Sequence, residues 1–401
     1  MTRSFRARSG VTSHAGLCLS TCLVLVLAGG CTGAPASSGS AANSMPALES
    51  SPAQIATQPV PSAAPPSTVD AAEVQRQVDL FLSPGGRYDE LIRAILVLVD
   101  GEPIVEHYGK NGSPQTTSDI FSVTKSVMSM LIGIAIGDGQ IGSVDQTLGE
   151  LLPSYAAVMA PGVADITLRQ VLTMTGGIVD DTHQIGASAL PDDWISAIVS
   201  TPLQSRPGTS FAYSSFGSHL LSAILVQATG RSVLDYAREK LLGPLGISTE
   251  PAAQPTATEL LGAPGDGLSG FVWPVDPRGN NTGFAYLHLT PPDMAKLGQL
   301  FLDGGQWQGR QVVPAAWVKE STSHLVDSDS TTMPGYGYQW WVGAADGHEA
   351  FAAFGYAGQL VEVVPDLKLV VVVSSSDGNA SFDANSFAQA VSHQIAPAVA
   401  G

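Results

Sequence analysis

The sequence has almost no cysteine. All three cysteines of the 401 residues, Cys18, Cys22 and Cys31, lie at the amino-terminal end of the chain. The rest of the chain can therefore form no disulfide and no thiolate metal site, and it contains no cysteine nucleophile.

Charged residues are also scarce, and basic ones most of all. They make up 13% of the chain, with 18 Lys and Arg against 35 Asp and Glu, so the formal net charge is -17. Such a surface repels nucleic acid, and we expect no nucleic-acid partner. Hydrophobic residues make up 44%, which is ample for a sizeable core.

Several catalytic and cofactor motifs are missing. No Gly-x-Ser-x-Gly sequence occurs, which disfavours an α/β-hydrolase. No His-Glu-x-x-His occurs and the eight histidines are scattered, so a zinc enzyme has no support. No Gly-x-x-x-x-Gly-Lys phosphate loop occurs either. We therefore expect neither a cofactor nor a metal.

Residues 1–30 have the pattern of a signal peptide. A basic start precedes an apolar run from Leu17 to Leu27, which is too short for a membrane span. The segment ends in Ala28-Gly29-Gly30-Cys31, which resembles the bacterial lipoprotein cleavage box and implies that Cys31 receives lipid. We therefore expect an extracytoplasmic protein anchored to the cell membrane by that lipid. The alternative is an ordinary secretory signal cut nearby, which would give a secreted protein.

Residues 31–70 are rich in Ala, Ser, Pro and Gly, and they predict a flexible tether. The folded domain is expected over residues 71–398. Strand-like runs occur near both ends of that domain: Ile92–Val99, Pro103–Tyr108, Tyr336–Val342, Gln359–Val364 and Lys368–Ser374. The pattern predicts an α+β fold, with an antiparallel sheet flanked by helices and built from residues of about 71–120 and 311–398. An inserted all-helical region is expected at about 140–290.

The stretch Phe121-Ser122-Val123-Thr124-Lys125 opens a predicted helix over Ser122–Gly137. A serine and a lysine three residues apart share a helical face, so Nζ can reach Oγ. A serine needs a base to take its proton, and the helix N-terminus and burial both lower a lysine pKa toward that task. We predict Ser122 as nucleophile, with its N–H as an oxyanion donor, and Lys125 as base. The alternative is a surface lysine early in an amphipathic helix.

Tyr213 stands where a Pro-Gly loop meets the next predicted helix, Phe216–Thr229. A tyrosine there can point its hydroxyl into a cleft, and a nearby ammonium would lower its pKa and let it relay a proton. The alternative is a buried tyrosine with a satisfied hydroxyl.

A third stretch, Phe354–Gln359, precedes the strand Leu360–Val364. Its glycines allow close backbone approach at a strand edge, where a substrate could pair. The Gln359 N–H is the predicted second oxyanion donor, and a plain β-turn is the alternative.

Taken together, Ser122-x-x-Lys125, Tyr213-Ser214-Ser215 and Tyr356-Ala357-Gly358 resemble the three signature elements of the serine β-lactamase and penicillin-recognising superfamily. The match is closer to the class-C-like branch, which includes esterases and 6-aminohexanoate-dimer hydrolases. The resemblance implies an acyl-enzyme route, and an active site between a helical region and an antiparallel α/β sandwich. It also implies substrate binding by four residues of the second and third elements: Ser215, Tyr356, Ala357 and Gly358.

Two departures bear on the substrate. Ser215 stands where the superfamily usually has asparagine, and Tyr356 where β-lactamases and many peptidases have the lysine that holds a substrate carboxylate. With no arginine after Arg310, this weakens the case for β-lactams or peptidoglycan stems. Asp181 matches an acidic residue of the 6-aminohexanoate-dimer hydrolases and could bind a substrate amine, or it is a solvated loop carboxylate.

The leading hypothesis is a serine hydrolase that acts on a small-molecule ester or amide. One alternative is a D,D-peptidase or β-lactamase acting on cell-wall peptides or β-lactams. Another is a non-catalytic envelope binding protein of the same fold.

Overall fold

A computed structural model describes residues 69–82, 91–179, 192–256, 270–376 and 384–401. The predicted signal peptide, nearly all of the predicted tether, Cys31 and Asp181 lie outside these residues, so they stay predictions. The domain limits stay a prediction as well.

The main sheet joins the two ends of the folded chain. Its early strands are β1 (Ile92–Val99) and β2 (Glu102–Tyr108). Its late strands are β9 (Val326–Asp327), β10 (Gly335–Tyr336), β11 (Trp341–Ala345), β12 (His348–Gly355), β13 (Gln359–Val364) and β14 (Leu369–Ser375). The strand order is β2-β1-β14-β13-β12-β11-β10-β9, and every neighbouring pair is antiparallel. The predicted α+β fold built from both chain ends is confirmed.

Helices cover both faces of this sheet. The helix α1 (Ala71–Phe81) and the last helix α10 (Ala384–Ala400) pack on one face, and α8 (Pro291–Leu302) packs on the other. Along β14, Val371 and Val373 belong to the core with α1 and α10, whereas Val370 and Val372 belong to the core with α8. Successive side chains of a strand point to opposite faces, and a strand covered on both sides is therefore a continuous apolar run.

The chain between β2 and β9 is mainly helical. Its α-helices within the described ranges, besides α8, are α2 (Val123–Gly137), α3 (Leu148–Leu151), α4 (Leu168–Leu172), α5 (Trp194–Ser200), α6 (Ser215–Thr229), α7 (Val233–Ala237) and α9 (Ala315–Ser321). Local sequence sets several of their ends. Thr147 and Thr167 begin α3 and α4 with capping boxes, and Gly230 ends α6 in the left-handed conformation at φ 65°.

The prediction of an all-helical insertion needs a correction. Four two-residue strands form a second sheet in the order β3-β6-β5-β4: β3 (Ser118–Asp119), β4 (Ala252–Ala253), β5 (Phe271–Val272) and β6 (His288–Leu289). A further short pair joins β7 (Gln306–Trp307) to β8 (Arg310–Gln311). Strands of two residues are too short to show a period in the sequence.

Two predictions about the late strands were incomplete. Tyr336–Val342 is two strands, because the chain turns between β10 and β11 with Gln339 at φ 62°. The strand β12 was missed, since its sequence is rich in alanine and lacks the β-branched residues that signal strands. None of the helices among the described residues combines the length and the apolar character that crossing a membrane requires.

Candidate active site

Ser122 is the residue that begins the helix α2. Its backbone has φ -68° and ψ -7°, and it follows Phe121, whose φ of 46° is unusual for an aromatic residue. The first amides of a helix have no intrahelical acceptor and carry partial positive charge. The Ser122 N–H lies at this positively polarised helix end, and its role as an oxyanion donor stays a prediction.

Lys125 lies one turn along the same helix and is buried, with 1% of its surface exposed. Its Nζ donates hydrogen bonds to Ser122 Oγ at 3.0 Å, Ser215 Oγ at 3.3 Å and the Phe284 carbonyl at 3.0 Å. The predicted approach of Nζ to the serine hydroxyl is present. A buried cationic group needs such partners, because its water has been removed.

Tyr213 lies beside the same lysine. Nζ of Lys125 is 4.8 Å from the centre of the Tyr213 ring, and that ring stacks on Trp341 at 5.8 Å. Met174 holds the backbone on both sides of the tyrosine, because its carbonyl accepts the Ala212 N–H at 2.8 Å and its sulfur accepts the Ser214 N–H at 3.3 Å. The structure thus brings together the first two sequence elements.

The third element is a tight turn that lies against the loop before Ser122. Tyr356, Ala357 and Gly358 link β12 to β13, with Ala357 at φ 61°. The backbones approach so closely that a Cβ on Gly355 would be 2.4 Å from the Ile120 carbonyl oxygen. Only glycine fits there.

Two residues of this turn differ in exposure. Tyr356 is 57% exposed, and its ring meets the edge of the Phe121 ring at 5.4 Å. Gln359 is fully buried at the start of β13, where it pairs with Gly355 and donates its side-chain amide to the Ser375 carbonyl at 2.7 Å. The roles given to these residues in substrate and oxyanion binding stay predictions.

The segment Thr282–Tyr286 is a part of the site that the sequence did not indicate. It supplies the Phe284 carbonyl to Lys125, and a backbone acceptor has no sequence signature. The segment is held from inside, since the Thr282 hydroxyl donates to the Ala285 carbonyl at 2.6 Å. A residue outside the segment also holds it, since the Trp273 indole N–H donates to the Thr282 carbonyl at 2.9 Å.

A buried histidine and aspartate support the same segment from behind. His219 Nε2 lies 3.2 Å from Asp276 Oδ2, and His219 Nδ1 accepts the Gly283 N–H at 3.3 Å. This pattern assigns the imidazole proton to Nε2. Burial would raise the pKa of Asp276, but hydrogen bonds from His219 and Asn280 lower it. The carboxylate form is therefore favoured.

Gln339 connects three helices around the site. Its buried side-chain amide donates to the Leu172 carbonyl at 2.9 Å and accepts from the Ser218 hydroxyl at 2.8 Å. Its own carbonyl accepts from the Ser126 hydroxyl at 2.7 Å. The ends of α4, α6 and α2 are therefore tied to one residue. Among the described residues, no group of three or more His, Cys, Asp or Glu could hold a metal ion.

Comparisons with known proteins give a family and several relatives. Residues 88–394 match the Beta-lactamase family model. The chain is 26% identical over 315 residues to "Penicillin-binding protein 4" of Amycolatopsis lactamdurans, which covers 72% of this chain and 81% of that protein. It is 26% identical over 309 residues to the 6-aminohexanoate-dimer hydrolase of Paenarthrobacter ureafaciens, covering 71% of this chain and 72% of that protein.

A solved structure has a similar fold. The crystal structure of a family VIII carboxylesterase superposes with a TM-score of 0.62 at 17% identity, over 83% of this chain and 100% of that chain.

Proposed function

This chain belongs to the Beta-lactamase family, whose members have the serine β-lactamase fold, and on that basis we propose that it hydrolyses an ester or amide through an acyl-enzyme on Ser122. The observation that carries the proposal is the 3.0 Å distance between Ser122 Oγ and Nζ of the buried Lys125. This is hydrogen-bond distance between a hydroxyl nucleophile and an amine base.

The three contacts of Nζ suit a neutral amine as well as an ammonium. A neutral amine has two N–H groups and one lone pair. If the two N–H groups are donated to Ser215 Oγ and the Phe284 carbonyl, the lone pair is left for the Ser122 proton. In this arrangement Ser122 Oγ gives its proton to Lys125 as it attacks the substrate carbonyl.

The proton then has a path to the leaving group. The bond between the carbonyl carbon and the leaving group breaks, and the leaving oxygen or nitrogen takes a proton from Lys125 through the Tyr213 hydroxyl. Water next attacks the acyl-enzyme, giving a proton back to this pair, and Ser122 Oγ leaves with that proton. The sum is ester or amide plus water, giving acid plus alcohol or amine.

We assign the oxyanion to the backbone N–H groups of Ser122 and Gln359. The close approach of Gly355 to Ile120 supports this assignment, because it places the start of β13 beside the start of α2. Each such donor is typically worth about 10²–10³ in kcat.

We propose that the part of the substrate that lies beside the third element is uncharged. Tyr356 presents an exposed ring next to Phe121 and offers a hydroxyl rather than a cation. Ala357 and Gly358 would present backbone groups to the substrate, and Ser215 would contact it beside Lys125. Asp181 stays the candidate for a substrate amine, as suggested by the relative that is named a 6-aminohexanoate-dimer hydrolase.

The substrate proposal has a direct test. We would compare a neutral p-nitrophenyl ester with the same ester carrying a carboxylate on its acyl chain, in the wild type and in Tyr356→Lys. The wild type is expected to prefer the neutral ester by at least about tenfold in kcat/KM, and the variant to lose most of that preference. Equal preference in both proteins would contradict the role of Tyr356.

The catalytic proposal is tested at Ser122. Ser122→Ala removes one hydroxyl and should abolish turnover of esters, ω-amino-acid oligomers and D-amino-acid peptides while leaving the fold intact. Intact-mass measurement with a fluorophosphonate probe should show one adduct on the wild type and none on the variant. Normal turnover by the variant would disprove the assignment, and an unlabelled wild type would favour a non-catalytic binding protein.

A D,D-peptidase or β-lactamase is the second candidate. It is favoured by the relative named penicillin-binding protein 4, which aligns over most of its own length. A labelled penicillin distinguishes it, since stable attachment to Ser122 or rapid β-lactam turnover would establish that activity.

A further inference from the structure

One buried carboxylate, Asp119, contacts the backbone on both sides of the proposed Ser122–Lys125 pair. It is the second residue of β3 and is 5% exposed. Its Oδ1 accepts the Phe121 N–H at 2.7 Å and the Tyr286 N–H at 2.9 Å. The three sequence elements of the site do not include it.

Both of these amides belong to residues in the left-handed backbone region. Phe121 has φ 46° and Tyr286 has φ 73°. Bulky non-glycine residues rarely adopt such angles, and they keep them only where their surroundings hold them. Hydrogen bonds to a carboxylate are stronger than those to a neutral acceptor, so Asp119 is suited to hold both.

One held segment leads into Ser122, and the other carries a backbone acceptor for Lys125. Phe121 directly precedes Ser122, so the first hydrogen bond fixes how the chain enters α2. Tyr286 follows two residues after Phe284, whose carbonyl accepts the hydrogen bond from Lys125 Nζ. One carboxylate oxygen therefore contacts both the residue before Ser122 and the segment whose carbonyl accepts from Lys125.

We propose that Asp119 is a positioning residue for the acylation step, acting through the backbone of Phe121 and Tyr286 to align Ser122 with Lys125. This inference rests on the proposed function of that pair. The prediction that follows is a loss in kcat with KM little changed, because the substrate does not contact Asp119 and only the alignment of the reacting atoms changes.

The test compares two substitutions at this position. Asp119→Ala removes the acceptor, and Asp119→Asn keeps a side-chain oxygen in the same place without the charge. For a p-nitrophenyl ester, Asp119→Ala is expected to lose about 10²-fold in kcat with KM within about threefold of wild type. Asp119→Asn should recover to within about tenfold of wild type, and fluorophosphonate labelling of Ser122 should slow in the same order.

Asp70→Ala is the matched control for loss of a carboxylate that accepts two backbone amides. Asp70 Oδ1 accepts the Ala72 N–H at 3.0 Å and the Glu73 N–H at 3.3 Å at the start of α1, which packs in a different core from α2. It should lower the melting temperature while leaving kcat within twofold. If Asp119→Ala keeps kcat within twofold, or if Asp70→Ala loses as much kcat, the positioning role is wrong.

If Asp119→Ala fails to fold, Asp119→Ser provides a second test of the same proposal. Asp119→Ser keeps a short acceptor for the Phe121 N–H and is too short to hold Tyr286 as well. It should fold and still lose about tenfold or more in kcat, and unchanged kcat would overturn the inference. A wild type that neither turns over esters nor labels at Ser122 would instead refute the proposed function itself.

Discussion

The close approach between Gly355 and the loop before Ser122 makes Gly355→Ala a sharp test of the site. The added Cβ would lie 2.4 Å from the Ile120 carbonyl oxygen and 2.9 Å from the Gln359 Cβ. An ordinary van der Waals contact of a Cβ begins at 3.4 Å. The turn after Gly355 therefore has to move away from the loop before Ser122 by about 1 Å. The backbone of Gly355 is itself extended, at φ -122°, so the effect is one of contact and not of backbone strain.

The expected magnitudes follow from this displacement. Overpacking of this kind costs about 1–3 kcal/mol in the free energy of unfolding. A shift of about 1 Å between the turn and Ser122 should lower kcat by about 10²-fold, because Gln359 opens β13 and would carry its N–H away from the oxyanion. The assay is steady-state hydrolysis of a p-nitrophenyl ester, together with urea unfolding of the same preparations.

Gly298→Ala provides the control for overpacking away from the site. Its Cβ would lie 2.6 Å from a Val370 side-chain carbon, between α8 and the sheet. The net cost in stability should be at most about 2 kcal/mol, because alanine also favours the helix. Its kcat should stay within about twofold of wild type. A Gly355→Ala enzyme with kcat within threefold of wild type, or an equal loss in Gly298→Ala, would refute the reasoning.

Three further predictions concern other parts of the molecule. Lys125→Met and Tyr213→Phe should each lower kcat by about 10²-fold or more, and the double variant should lose far less than the product of the two, as kinetics on all four proteins would show. The Glu362 carboxylate, whose Oε1 lies 3.5 Å from His393 Nε2, raises the pKa of His393, although burial lowers it. The pair therefore stabilises the fold below the unfolded pKa of 6.5 and loses that effect as pH rises through the folded pKa. The free energy of unfolding of His393→Leu should approach that of the wild type as pH rises above 6.5, and a gap that widens with pH would contradict the sign. Cys31→Ser should abolish incorporation of an alkyne fatty acid and release the protein from membranes, whereas unchanged incorporation would exclude Cys31 as the lipid site.

The sequence could predict the features of this protein that depend on neighbours in the chain. Ser122 and Lys125 are three residues apart, and helix geometry alone brings their side chains together. The strand character of β1 and β14 follows from their runs of β-branched residues. The ends of α4 and α6 follow from a capping threonine and a glycine.

Tertiary structure decided which distant groups complete the site. The Phe284 carbonyl on Lys125, the carboxylate of Asp119 and the amide of Gln339 come from segments far apart in the chain. Their partners are mostly backbone atoms, which every residue has, so no residue type marks them in advance. Only the packing of the second sheet and of the helix ends selects which amides and carbonyls meet. Local periodicity therefore predicted the nucleophile and its base, and long-range contacts determined how the two are held.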